Sequence, residues 1–256
     1  MAGRVTLETD GTVANITFDR PEARNAITGE MFEQLHDHCE SLDSDGSVRV
    51  VVLRGAGGNF VAGGDIRQFR SFTDGEDGVA YEKLTGRAIG RLEKLSKPTI
   101  AAVDGYAVGG GMILASVCDL RICSERAMFG LPIARTLGNV PAGKNLARIA
   151  NIIGVAKTKQ LILTAKLLSA TEALGAGLVS EVVPEAGLEG RIEELSRTIA
   201  SHAPLTISAS KEALHRFYLD KLPETTDITR RVYGSEDFRE GVAAFTEKRR
   251  PEWKGR

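Results

Sequence analysis

The sequence predicts an α/β fold: an alternating strand–helix core followed by a helical C-terminal subdomain. Three observations lead there. Short β-branched runs such as Val50-Val51-Val52-Leu53 alternate with stretches whose apolar residues recur every three or four positions. Two glycine-rich segments each follow a strand-like run. From about Leu188 onward the pattern is helical. Repeated strand–helix units and then helices argue for one α/β core with a separate helical part. The expected division is 1–195 for the core and 196–256 for the helical subdomain.

In chain order, Val5–Glu8 and Val13–Phe18 flank the turn Asp10-Gly11, which predicts a hairpin. Met31, Leu35, Cys39 and Leu42 recur at helical spacing. Arg49–Leu53 reads as a strand that ends at Gly55, and Thr73–Gly78 reads as an acidic, mobile loop. Leu84, Ala88, Leu92 and Leu95 form another amphipathic helix, stopped by Lys97-Pro98. Thr99–Val103 is a buried-type strand leading into the second glycine segment. Ser169-Ala170-Thr171-Glu172 has the capping-box pattern and opens a short helix that ends near Gly175–Gly177. Leu178–Val183 reads as a strand stopped by Pro184, and Pro204 and Pro223 interrupt the helices beyond.

Composition removes several function classes. The chain has 256 residues, of which 42% are hydrophobic and 26% charged, enough for a substantial core. Net charge is −1 without a long single-sign block, so neither nucleic acid nor a membrane surface is an expected partner. Lys248-Arg249-Arg250 is a short basic cluster that by composition alone reads as a solvated tail. Cys39, Cys118 and Cys123 make no Cys-x-x-Cys pair and read as buried free thiols. His36 and His38 stand two apart, the wrong spacing for one helix face, and no cluster has metal-ligand spacing. No apolar signal region opens the sequence and no segment approaches a membrane span, so the expected setting is the cytoplasm.

The glycine segments carry the chemistry. They read Asn59-Phe60-Val61-Ala62-Gly63-Gly64-Asp65-Ile66 and Asp104-Gly105-Tyr106-Ala107-Val108-Gly109-Gly110-Gly111-Met112. Backbone without side chains can approach a ligand closely, and its N–H groups can converge on one atom. Two such segments suggest an oxyanion hole.

With these segments the sequence resembles the crotonase, or enoyl-CoA hydratase/isomerase, superfamily. The resemblance also takes in Arg20–Ala26, Cys118–Arg121, Gly175–Val179, Ala244–Arg249 and Pro251-Glu252-Trp253, nearly the whole chain. It implies a crotonase-like spiral of repeated ββα units, with C-terminal helices used in forming a homotrimer or a dimer of trimers. It implies acyl-CoA thioesters as substrates, with coenzyme A part of the substrate and no metal or redox cofactor. By position, Gly64 and Gly110 match the amides that hold the thioester oxygen. Arg24, Ala62, Asp65 and Ile66 match contacts to the CoA nucleotide, and Phe245 and Lys248 fall in the segment that completes the CoA site. The basic cluster at Lys248 thereby gains a ligand.

The sequence departs from the family at two positions. Hydratases of the family hold and activate a water with two glutamates. One lies three residues after the second oxyanion glycine, where this chain has Ile113. The other ends a Phe-Gly-x-Pro-Glu stretch, which here reads Phe129-Gly130-Leu131-Pro132-Ile133. Isoleucine can neither take nor give a proton, and hydration needs both. Three explanations follow. Other polar residues supply the proton chemistry, with Arg135, Asn139 and Lys144 as candidates from the 135–145 segment, although Arg135 and Lys144 read equally as structural ion-pair residues. Alternatively, the protein decarboxylates a malonyl-type CoA, which forms the enolate without a base. Leu137–Pro141 and Asn145–Arg148 have a short similarity to methylmalonyl-CoA decarboxylases, although it does not place their catalytic tyrosine. In the third reading the protein binds acyl-CoA without turnover. Asp119 reads as a structural carboxylate paired with Arg121 or a backbone amide, and Tyr106 as packing.

Overall fold

The computed structural model describes residues 3–219, 226–254 and 256. Its elements in chain order are β1 (Arg4–Asp10), β2 (Val13–Asp19), α1 (Gly29–Ser44), β3 (Val50–Gly55), α2 (Gly75–Glu93), β4 (Thr99–Val103) and β5 (Tyr106–Val108). There follow α3 (Gly110–Val117), β6 (Leu120–Ser124), β7 (Met128–Gly130), α4 (Ile133–Thr136), α5 (Gly143–Thr164), β8 (Leu168–Ser169), α6 (Ala170–Gly175) and β9 (Glu181–Val183). The chain then turns helical, with α7 (Leu188–Ala200), α8 (Pro204–Leu219), α9 (Thr226–Tyr233) and α10 (Glu236–Glu247).

Two sheets form. The larger has the order β1-β2-β3-β4-β6-β9, antiparallel only at the β1–β2 hairpin. The smaller has the order β5-β7-β8. Successive units place one strand in the large sheet, the next in the small sheet, and then a helix. Thus β4 leads to β5 and α3, and β6 leads to β7 and α4. Such repetition winds the chain into a spiral.

The central strands β3 and β4 are largely apolar because both their faces are covered. Val51, Leu53, Ala101 and Val103 face the main core, together with Met31, Leu35, Cys39 and Leu42 of α1. The alternating residues Val50, Val52, Ile100, Ala102 and Ile122 pack against Leu188 and Ile192 of α7. The expected boundary between residues 195 and 196 therefore falls inside a helix that packs on the sheet. A third cluster joins Phe69, Leu137, Tyr233, Phe238 and Val242, bringing α9 and α10 back onto the first half of the chain.

Most expected elements form where the pattern placed them, including the capping box at Ser169 and Glu172. The segment Thr73–Gly78 is different. It is no loop throughout: Asp74 caps α2, its side chain accepting from the amides of Glu76 and Asp77. Asp77 in return accepts from the Thr73 and Asp74 amides. The two glycines there are packing residues. A Cβ on Gly75 would overlap the Arg230 carbonyl, and one on Gly78 would overlap the Tyr233 ring, so both let α9 lie against α2. The strand expected over Leu178–Val183 is confined to Glu181–Val183. The helices break at Pro204 as expected, α7 ending at Ala200 and Pro204 opening α8, and Pro223 lies outside the described residues.

All three cysteines are buried and free, and burial pushes each thiol up to about 12. Asp119 is structural. Its carboxylate accepts from the Thr99 amide at 2.7 Å, the backbone partner expected, and from Lys211 Nζ at 2.7 Å, a charged partner that the sequence did not suggest.

Candidate active site

A cavity of about 670 Å³ opens between the glycine segments, α2, and the region 131–145. Its first wall is backbone. Val61 pairs in parallel with Ala107 across the small-sheet layer. From that matched pair, three residues onward on each segment lie Gly64 and Gly110. Equal offsets from one register point carry the two amides to the same place. A Cβ built on Gly110 would lie 3.7 Å from Gly64 N. Gly110 opens α3, and among the described residues neither its N–H nor that of Gly64 donates to another backbone group. A helix N-terminus adds a favourable dipole for an anion.

The neighbouring glycines hold this arrangement. Gly109 has φ +56° and Gly63 has φ +108°, which disfavour any side chain. Gly111 is pressed against the Val61 carbonyl, where a Cβ would overlap it. The Gly109 amide also donates to the Gly130 carbonyl at 2.8 Å, tying the next turn of the spiral to the same exit. That turn contributes Leu131, Pro132 and Ile133 to the cavity lining.

Of the residues that sequence pointed to, Gly64, Gly110, Arg24, Ala62, Asp65, Ile66, Phe245, Ile113, Ile133 and Asn139 all line this cavity. Ile113 and Ile133 are buried in its wall. Arg24, with φ +50°, lies over the Tyr106 ring at 5.3 Å, a cation–π contact at the cavity mouth. Asp65 is ion-paired with Arg20 and Arg67, and those hydrogen bonds and charges pull its carboxyl down to about 2. Three of the residues fall elsewhere. Arg135 is exposed, Lys144 borders a separate small recess, and Lys248 is exposed at the end of α10; none of them lines the cavity.

The second wall is made of side chains, of which the sequence singled out Asn139 but not Tyr81 or Glu82. Tyr81 of α2 packs edge-on against Phe69 at 4.9 Å. Its hydroxyl would lie 2.7 Å from a Cβ on Gly64, so it stands directly beside the first amide. Glu82, the next residue, accepts from the Ala142 amide at 2.9 Å and from the Tyr233 hydroxyl at 3.0 Å. Tyr233 in turn accepts from Asn139 Nδ2 at 3.1 Å. Burial pushes the Glu82 carboxyl above the usual carboxylate range, against the opposing pull of these two hydrogen bonds. One signal was available: Val79, Glu82, Gly86 and Ile89 follow one helix face, so an acid sits among positions expected to be covered.

Among the described residues no group of three or more His, Cys, Asp and Glu could hold a metal ion, and no helix is long and apolar enough to cross a membrane. The site thus combines two adjacent backbone amides with a mostly apolar lining and the Glu82 carboxylate, which is held by an amide and a phenol.

Comparison with known proteins fits that geometry. The family described as enoyl-CoA hydratase/isomerase matches residues 8–256. The chain belongs to the enoyl-CoA hydratase/isomerase family. A short-chain-enoyl-CoA hydratase of Clostridium acetobutylicum is 36% identical over 253 residues, covering 97% of this chain and 96% of the relative. A probable enoyl-CoA hydratase of Rhizobium meliloti is 38% identical over 255 residues, covering 98% and 97%. Among solved structures, a methylmalonyl-CoA decarboxylase in complex with 2-nitronate-propionyl-CoA superposes with TM-score 0.89 at 29% identity, covering 98% of each chain. An enoyl-CoA hydratase/carnithine racemase from Magnetospirillum magneticum gives 0.82 at 31% identity, covering 98% of this chain and 96% of the other. The spiral is thus the crotonase fold, and the protein is a member of an acyl-CoA-processing enzyme family.

Proposed function

We propose that the cavity binds an acyl-CoA thioester with its carbonyl oxygen between the N–H groups of Gly64 and Gly110, and that these stabilise an enolate formed on the acyl chain. The observation that carries this reading is the register match that brings two free amides together, with a Cβ on Gly110 only 3.7 Å from Gly64 N. Each preorganised donor is worth about 3 kcal/mol of barrier in comparable oxyanion holes. Arg24, Ala62, Asp65, Ile66 and Phe245, all at this cavity, are the proposed CoA contacts. Lys248 joins them only if the exposed end of α10 reaches the CoA. Oligomerisation through apolar surface is part of the same reading, since Leu163 and Leu205 are each more than four-fifths exposed.

Two measurements test it. The carbonyl stretch of bound [1-13C]butyryl-CoA is expected to move to lower frequency, and Gly110→Ala to abolish the shift. An unshifted carbonyl in the parent protein overturns the oxyanion assignment. Turnover of crotonyl-CoA, a 3-enoyl-CoA and methylmalonyl-CoA, followed by mass spectrometry, then separates hydration, isomerisation and decarboxylation, while binding without product from any of them indicates a carrier.

A further inference from the structure

The walls that normally carry the family's acids are apolar here, so a proton-transferring group must come from elsewhere if the enolate is to form by proton loss. Three carboxylates line the cavity: Glu22, Asp65 and Glu82. Asp65 is held by two arginines. Glu22 is exposed at the rim. Glu82 alone lies deep, one residue from the tyrosine that stands beside Gly64.

Two acids of α2, the buried Glu93 and the half-buried Glu82, are held in different ways. Glu93, three turns further along, is clamped by both ends of the Arg148 guanidinium at 2.9 and 2.5 Å. Its charge is cancelled, as expected for a structural carboxylate. Glu82 forms no ion pair with Lys or Arg among the described residues; it is held by an amide and a phenol. Neutral donors fix its position and leave lone pairs on both oxygens for a substrate proton.

We infer that Glu82 is the acid–base residue of this site, and that the reaction it serves is migration of a double bond in a β,γ-unsaturated acyl-CoA. This rests on the thioester reading above. The Glu82 carboxylate takes a proton from the α-carbon, and the electron pair of that C–H bond enters a dienolate whose oxygen is held by Gly64 and Gly110. When the carbonyl re-forms, the double bond moves to the α,β position and the γ-carbon takes the proton back from the Glu82 carboxylic acid. Atoms and electrons balance without water, oxidant or cofactor. Ile113 and Ile133 suit this step because they keep water from the dienolate. Tyr233, with Asn139 behind it, is a positioning residue that aims the carboxylate.

Titratable and charged groups surround it: Tyr81 on its own helix, Tyr233 from α9, and Lys83, Lys144 and Arg148 along the small recess behind it. Burial pushes its carboxyl up, and the Ala142 amide and the Tyr233 hydroxyl pull it down. Because the Tyr233 hydroxyl donates to the carboxylate, it favours the ionised form, so removing it raises the pH at which Glu82 becomes a base.

The test uses the full chain with trans-3-hexenoyl-CoA for turnover, and butyryl-CoA for calorimetric binding and for α-proton exchange in D2O. Expected results are isomerisation and exchange by the parent, and a loss of at least a hundredfold in both for Glu82→Gln, with butyryl-CoA affinity within about threefold. Glu82→Asp should restore part of the rate. Tyr233→Phe should move the acid limb of kcat/KM to higher pH. Glu82→Gln activity within threefold of the parent overturns the assignment, as does a parent that binds butyryl-CoA but neither exchanges nor isomerises. If Glu82→Gln fails to bind, the Tyr233→Phe limb decides, and an unmoved limb overturns the inference. A parent that binds no acyl-CoA overturns the thioester reading itself, and this inference falls with it.

Discussion

The two walls of the cavity are built on opposite principles. One is main chain: Gly64 and Gly110 leave neighbouring strands at equal distance from a paired residue, and their position follows from hydrogen-bond register. The other is side chain: Tyr81 and Glu82 of α2 and Asn139 of the loop before α5 line it, and Tyr233 of α9, behind them, joins Glu82 and Asn139 through hydrogen bonds of 3.0 and 3.1 Å. The first can change only if the spiral changes. The second can change by single substitutions. On the proposed reading this division lets one fold serve several reactions, because the amide wall can stay fixed while the side chains that move protons vary.

The difference can be probed from the backbone side first. Gly110→Ala should give the largest effect, a fall in kcat of about 10²–10³, because the new methyl would stand between the two amides. Thioester affinity measured by calorimetry should change far less. A fall of less than about tenfold would mean that the amide wall is less exacting than its register suggests.

On the side-chain wall, Ile113→Glu should lower the urea midpoint by the equivalent of about 1–3 kcal/mol, since a carboxyl would replace a methyl group in an apolar lining. Its pKa should rise, and hydration of crotonyl-CoA should increase if the remaining chamber admits water. Unchanged stability would show that this wall is wetter than its residues imply.

A smaller effect separates Glu82 from Gln by pH. Burial holds the Glu82 carboxyl above its ordinary value, so the folded protein keeps a proton that the unfolded chain has already released. The associated stability is full below the unfolded value and is lost as pH rises through the folded one. The Tm of the parent should therefore fall relative to Glu82→Gln as pH rises above the ordinary carboxylate range. Parallel curves would place the carboxylate in contact with bulk water.

The smallest effect is at the cavity rim. Asp65 is lowered from 3.8 to about 2 by Arg67 and Arg20, so its contribution is present above pH 3.8 and is lost as pH falls toward 2. Asp65→Asn should flatten the acid end of the Tm profile in that window. An identical acid slope would show that the two arginines are satisfied by other acceptors.

The same division explains what sequence could reveal. The amide wall was legible because a backbone site demands glycine, and Gly63-Gly64 and Gly109-Gly110-Gly111 stand out in any sequence. Strand runs such as Val50–Leu53 were equally plain, since burial on both faces leaves no polar residue. Glu82 was not legible. Its partners Ala142 and Tyr233 lie 60 and 151 residues away, and only the packing of α9 on α2 brings them together. Thr73–Gly78 misled for a related reason. Acid and glycine are common in loops, but here the acids cap a helix and the glycines make room for a neighbour. Arg135 and Lys144 had suitable chemistry, but the turn from α4 into α5 leaves both outside the chamber.

Phe245 lines the cavity and Tyr233 supports its wall through Glu82, whereas both glycine amides are already encoded by position 110. In chain order the two glycine segments thus come well before Tyr233 and Phe245. On the proposed reading, a chain lacking α9 and α10 would keep both amides and lose the 3.0 Å hydrogen bond that orients the Glu82 carboxylate. Truncation before α9 would then disable the proton-handling half of the site and spare its amide half.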